Sequence, residues 1–144
     1  MKFLIINGPN LNLMHFTEPG VAGQIDYNAL LDYLEVCCQQ MDIEVEFFQS
    51  NHEGDLVDEI QSAAGRADGI VINPAAYTHT SVAILDALKA VAIPAVEVHI
   101  SAVETREDFR QVSYARLACF ATITGEGLKG YAHALELLKE HLEK

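Results

Sequence analysis

Apolar residues run along this chain in short continuous blocks separated by longer segments of helical period. The blocks are Phe3–Asn7, Val45–Gln49, Gly69–Asn73, Ala95–His99 and Cys119–Thr124. Most are unbroken and β-branched rather than alternating, the pattern of strands covered on both faces. Between them, Asn28–Met41 aligns Leu30, Leu31, Leu34 and Cys38 on one stripe, and Asp55–Ala64 does so with Leu56, Ile60 and Ala63. Thr80–Val91 aligns Ala83, Ile84, Ala87 and Leu88, and Leu128–Leu142 aligns Leu128, Tyr131, Leu135, Leu138 and Leu142. This spacing predicts helices with one apolar face each. Asp26 stands where the first helix needs an N-cap, and Thr78 or Thr80 where the third does.

Strict alternation of strand and helix predicts an α/β fold: a flavodoxin-like, doubly wound, five-stranded parallel sheet with helices on both faces and right-handed crossovers. No linker, repeat or low-complexity tract divides the chain, and 144 residues suit a single domain over residues 1–144. One connection is out of scale. Gly8 to Ile25 greatly exceeds the ~2–6 residues usual between strand and helix, and long connections of this kind commonly serve as lids or binding loops.

In open parallel sheets the ligand crevice lies beyond the carboxyl ends of the strands. Here those ends read Asn7-Gly8-Pro9-Asn10-Leu11-Asn12, Gln49-Ser50-Asn51-His52-Glu53-Gly54, Asn73-Pro74 followed by Tyr77-Thr78-His79-Thr80-Ser81, Glu97-Val98-His99-Ile100-Ser101, and Thr124-Gly125-Glu126-Gly127. Amides, hydroxyls and imidazoles therefore converge on one edge. Asn10 and Asn12 fit either ligand binding or Asx turns beside Gly8-Pro9. His52 reads as a loop or cap residue, and His79 as either a helix cap or a site residue. His99 differs, because Glu97 lies two residues earlier on the same side of the strand, and a carboxylate there orients an imidazole for general acid work. Arg106 and Arg110 are one helical turn apart, either a solvated face with Glu107 and Asp108 or an anchor for an anionic substrate.

Charge narrows the partners. A formal net charge of -12, with 21 acidic against 9 basic residues, argues against nucleic acid and anionic membranes, so an anionic small molecule would need a local cation in its pocket. No apolar run approaches the ~18–20 residues of a membrane span, and Phe3–Ile6 is too short for a signal peptide core. Cys37, Cys38 and Cys119 form an odd set with an adjacent pair, which reads as reduced thiols in a cytoplasmic protein. The chain has no CxxC or HExxH metal pattern, no glycine-rich nucleotide motif and no GxSxG elbow. The pocket chemistry is compatible with carbon–oxygen lyase or hydratase work without by itself naming it, and a flavin-binding electron carrier and a regulatory binding module are competing classes.

The strand-end motifs carry a resemblance. Asn7 to Leu13, Gln49 to Gly54, Asn73 to Ser81, Val96 to Ser101, Arg106-Glu107-Asp108-Phe109-Arg110 and Gly125 to Tyr131, in this order, resemble the type II 3-dehydroquinate dehydratases over essentially the whole chain. The resemblance implies a dodecamer built from trimers, no cofactor and no metal, and loss of water from 3-dehydroquinate by anti elimination through an enolate, a step of the shikimate pathway. By that resemblance Asn10 helps hold the water that stabilises the enolate oxygen, His99 protonates the departing hydroxyl, and Glu97 orients His99. Asn73, His79, Ile100, Ser101 and Arg110 hold the substrate, and Asp86 reaches a neighbouring subunit's site.

The sequence departs from the family pattern in the long loop. Thr17 stands where the family has an arginine, and Ala22 where it has the tyrosine that serves as general base. Ala102 replaces the usual asparagine, and His15 the usual glycine. Three readings fit: His15 or Tyr27 supplies the base, the changed lid leaves a weak enzyme, or the chain is a non-catalytic or altered-specificity binder of a quinate-like acid.

Overall fold

Lys2–Asn7 forms the first strand, β1, and its alternate residues enter two separate cores. Phe3 and Ile5 face one side of the sheet while Leu4 and Ile6 face the other, which explains why the block is apolar at every position. In the computed structural model, which describes residues 1–17 and 24–144, the chain continues through β2 (Phe16–Thr17), β3 (Gln24–Ile25), α1 (Tyr27–Gln40), β4 (Glu44–Gln49) and α2 (Glu53–Ser62). It then forms β5 (Gly69–Asn73), α3 (Val82–Val91), β6 (Ala95–Val98), β7 (Ala121–Ile123) and α4 (Lys129–Glu143).

The five-stranded sheet has the order β4-β1-β5-β6-β7, and the pairs joining those strands are all parallel. Helices α1 and α4 pack on the Phe3 side and α2 and α3 on the Leu4 side, as the doubly wound expectation requires. The winding reverses between β1 and β5, so the loops leaving those strands diverge and open a crevice at their carboxyl ends.

Several expectations are corrected. Neither Thr78 nor Thr80 caps α3. Ser81 does, its hydroxyl accepting from Ile84 N at 2.9 Å. The buried face of α3 uses Leu85 where Ala83 was expected, and Ala83 is exposed. Arg106 and Arg110 do not share a helix: Arg106 is extended, and Arg110 lies in a separate 3-10 turn, Asp108–Gln111. Within the long connection, β2 and β3 pair in antiparallel fashion. The Asp26 cap stands as expected, its carboxylate accepting from Ala29 N at 2.8 Å.

Candidate active site

The loops after β1 and β5 meet closely before they diverge. A Cβ on Gly8 would lie 2.4 Å from the Pro74 carbonyl oxygen, so only glycine permits this approach. Gly8 N also donates to the Asn73 carbonyl at 2.8 Å. Beyond this contact Asn10 adopts a left-handed conformation, φ 70°, which asparagine tolerates better than most residues. Its N–H donates to Asn51 Oδ1 at 3.0 Å, and the Tyr77 hydroxyl donates to the Asn51 carbonyl at 2.8 Å. The Asn51 end of β4 therefore braces the first loop, whereas His52 is an exposed N-cap residue of α2 whose side chain caps nothing.

A cavity of about 300 Å³ opens at this edge. Of the expected site residues, Asn10, Asn73, His79, His99, Ile100, Ser101 and Arg110 all line it. Glu97 lies behind His99 rather than in the wall. Asp86 is exposed on α3 and does not line this cavity. Arg106, not singled out ahead of its neighbour in the sequence, lines the cavity together with Arg110. The pocket thus supplies two local cations in a strongly acidic chain.

One side of the cavity is backed by a buried pair. Glu97 is wholly buried and His99 is 5 % exposed, with His99 Nε2 at 2.5 Å from Glu97 Oε1. The Ser113 hydroxyl also donates to Glu97, and the Arg116 Nε lies 3.6 Å from Oε2. Burial by itself would raise the Glu97 carboxyl. The hydrogen bond and charge of His99, the Ser113 hydroxyl and the Arg116 guanidinium together outweigh burial and hold it below the ordinary carboxylate range. An ionised carboxylate only accepts, so Nε2 carries a proton and Nδ1 is the ring atom left for a ligand.

The polar wall is set with similar economy of donors. His79 Nδ1 lies 2.8 Å from the Val112 carbonyl, which only accepts, so that nitrogen is protonated and Nε2 is free to accept. Asn73 Oδ1 accepts from Ala75 N at 3.1 Å, an Asx turn that supports the left-handed Ala75, φ 53°. Its Nδ2 donates to the Tyr131 hydroxyl at 2.9 Å, leaving one amide N–H for a ligand. Arg110 Nε donates to Glu107 at 2.5 Å, and its guanidinium carbon lies 5.1 Å from the centre of the Phe109 ring. Those contacts fix the side chain while its terminal nitrogens stay open to a carboxylate.

Ala22 lies outside the described residues, and Thr17 enters β2. Tyr27 begins α1 and packs against the core, with Asn7 Nδ2 donating to its hydroxyl at 3.3 Å. Burial pushes its phenol above the ordinary range despite that bond, opposite to what a base requires. His15 is exposed and borders a separate cleft with Asp26 and Tyr27. Among the described residues no three His, Cys, Asp or Glu side chains gather to hold a metal ion. Cys38 and Cys119 are pushed up to about 11 and about 12, chiefly by burial, and are unreactive as thiolates. Among the described residues no helix is long and apolar enough to cross a membrane.

Known proteins are similar to this chain over nearly its whole length. The family model for class II dehydroquinase matches residues 1–139. The 3-dehydroquinate dehydratase of Caldicellulosiruptor bescii is 50% identical over 143 residues, covering 99% of each chain. That of Clostridium perfringens is 46% identical over 144 residues, again covering 99% of each. Among solved structures, the type II dehydroquinase of Butyrivibrio crossotus superposes with a TM-score of 0.90 at 49% identity, covering 96% of this chain and 97% of the other.

Proposed function

The chain belongs to the class II dehydroquinase family, and on that premise we infer that it is a 3-dehydroquinate dehydratase, a hydro-lyase that removes water from 3-dehydroquinate to give 3-dehydroshikimate. The observation that carries this reading is His99 in the wall of a cavity that Arg106 and Arg110 also line, with the buried Glu97 2.5 Å behind its Nε2.

The residues divide the work as follows. A base removes a proton next to the ketone, and the electrons move onto the ketone oxygen as an enolate. Asn10, which lines the cavity, helps hold the water that stabilises that oxygen. The enolate then reforms the ketone, and its electrons expel the hydroxyl. His99, as an imidazolium with a proton on each ring nitrogen, donates the Nδ1 proton to that leaving group, so water departs and the Nε2-protonated tautomer remains, held in place by Glu97. Arg110 meets the substrate carboxylate by charge-assisted hydrogen bonds. Asn73, His79, Ile100 and Ser101 hold its hydroxyls and ring.

Thr17 and Ala22 offer no group able to replace the arginine and tyrosine of the lid. Preorganised donors act independently of the base. The chain therefore binds dehydroquinate-like acids well but turns them over slowly. The same substitutions favour, as a second reading, a binder of a quinate-like acid without turnover. The family resemblance supports assembly into a dodecamer of trimers, in which the exposed Asp86 would reach a neighbour's cavity. Light scattering tests that assembly, and a monomer at micromolar concentration would count against it. The cytoplasm is the compartment that suits the unpaired cysteines.

The deciding experiment follows 3-dehydroquinate by the ultraviolet absorbance of the conjugated product, with His99→Ala as comparison. Measurable turnover that falls ~10²–10⁴-fold in the variant supports the lyase. Binding without any turnover supports the second reading.

A further inference from the structure

A wholly buried carboxylate is costly unless its oxygens are engaged. Oε1 of Glu97 takes the His99 hydrogen bond, yet this alone would leave the group free to tilt. The Ser113 hydroxyl straddles it, 2.9 Å from Oε1 and 2.9 Å from Oε2. The same Ser113 oxygen accepts from the Arg116 N–H at 3.2 Å. A hydroxyl both donates and accepts, so the bonds form a directed chain: Arg116 backbone N–H to Ser113, Ser113 O–H to Glu97, with His99 Nε2–H also donating to Glu97 Oε1.

The other groups facing Glu97 do not replace this contact. Arg116 brings a guanidinium within 3.6 Å, but its side chain is 47% exposed, so water screens its attraction. Burial and the Glu97 charge push the nearby Cys119 thiol up to about 12, so it stays neutral. Ser113 also sits in a short stretch with other duties. Arg110 lines the cavity, Val112 offers its carbonyl to His79, and Ser113 holds Glu97.

We propose that Ser113 is a positioning residue of the acid site, whose hydroxyl aligns the Glu97 carboxylate on His99 Nε2 and thereby fixes the imidazole tautomer that turns Nδ1 to the substrate. This rests on the reading of His99 as general acid. It also ties acid orientation to substrate docking, because residues 110–113 serve both.

The test compares the full chain with Ser113→Ala and Ser113→Thr by long-range 1H–15N spectroscopy of His99 and 13C titration of the Glu97 carboxyl. Turnover of 3-dehydroquinate is measured on the same proteins and on His99→Ala. The parent and Ser113→Thr should show His99 protonated on Nε2. Ser113→Ala should show mixed tautomers and a Glu97 carboxyl that titrates at higher pH, since the ionised form has lost a donor. Its kcat should fall about ten- to a hundredfold with KM little changed, by analogy with the loss seen when a partner that orients a metal-bound histidine is removed. The acid limb of its rate profile should move to higher pH in step with Glu97. An unchanged tautomer and an unmoved Glu97 titration in Ser113→Ala would overturn the role of Ser113, even with His99→Ala inactive. So would a loss of rate that threonine does not restore while the tautomer is unmoved, because that is packing alone. Full turnover by His99→Ala would instead overturn the general-acid reading, and the spectra would still decide whether Ser113 sets the tautomer.

Discussion

The Tyr131 hydroxyl donates to Asn7 Oδ1 at 2.6 Å, joining residues 124 positions apart in the chain. The same oxygen accepts from Asn73 Nδ2, so one phenol on α4 ties together the ends of β1 and β5, on either side of the crevice. Both asparagines and the tyrosine are buried, and burial pushes the Tyr131 phenol well above its ordinary range. Tyr131→Phe leaves an acceptor and a donor unpaired, at ~1–3 kcal/mol for each buried group. The variant should unfold at lower urea concentration and bind quinate-like acids more weakly, because the Asn73 amide keeps only its Ala75 restraint. Chemical denaturation and calorimetric titration check both, and an unchanged midpoint would show that the hydroxyl carries no stabilising bond.

Arg110 gives a separate expectation for binding. Its Nε is already committed to Glu107, an exposed pair of small energetic weight. Its value lies in the nitrogens left for a ligand carboxylate. Arg110→Ala should weaken a quinate-like inhibitor by ~1.5–3 kcal/mol, the range for hydrogen bonds to charged groups, with little change in fold stability. An unaltered dissociation constant in calorimetry would remove Arg110 from the site.

The lid gives the largest expected change in rate. Thr17→Arg with Ala22→Tyr restores the base and its cation, and general base catalysis is worth ~10²–10⁴-fold. The double variant should raise kcat sharply with little change in KM. His15→Ala serves as the counter-test, since His15 is the one imidazole in this loop. If the parent already matches the double variant and loses that rate only with His15→Ala, the lid is not impaired and His15 is the base.

Glu97 links stability to pH. Its folded carboxyl is held below the ordinary range, so the unfolded chain binds more protons between the two values. Its contribution is present above the unfolded value of ~4.3 and is lost as the pH falls through the lower folded value. Glu97→Gln removes this titration, so the stability of the variant should decline less steeply on acidification, whatever its level at neutral pH. Urea midpoints measured across that acid window check the slope, and parallel curves for parent and variant would contradict the linkage.

Sequence alone determined the α/β class, the five sheet strands, the four helices and the edge at which the chemistry gathers. These follow from local causes: unbroken apolar blocks such as Gly69–Asn73, the helical stripe from Leu128 to Leu138, and the turn chemistry of Asn7-Gly8-Pro9 are all written in neighbouring residues. The Glu97–His99 pair was legible for the same reason, because two residues apart on a strand means one side. Element ends were less legible, as the choice of Ser81 over Thr78 or Thr80 shows, since several nearby hydroxyls satisfy the same cap rule.

Tertiary structure decided what depends on separation in space. Nothing local marks Ser113 as the support of Glu97, or Tyr131 as the partner of Asn7 and Asn73, since those contacts span 16, 124 and 58 positions. Nor does a spacing of four residues reveal that Arg106 and Arg110 reach one cavity from separate turns rather than from one helix. Short-range pattern encodes which elements form, because it sets backbone propensity and the buried face. Only packing those elements together sets the distances over which a hydroxyl, a carboxylate and an imidazole act on one another.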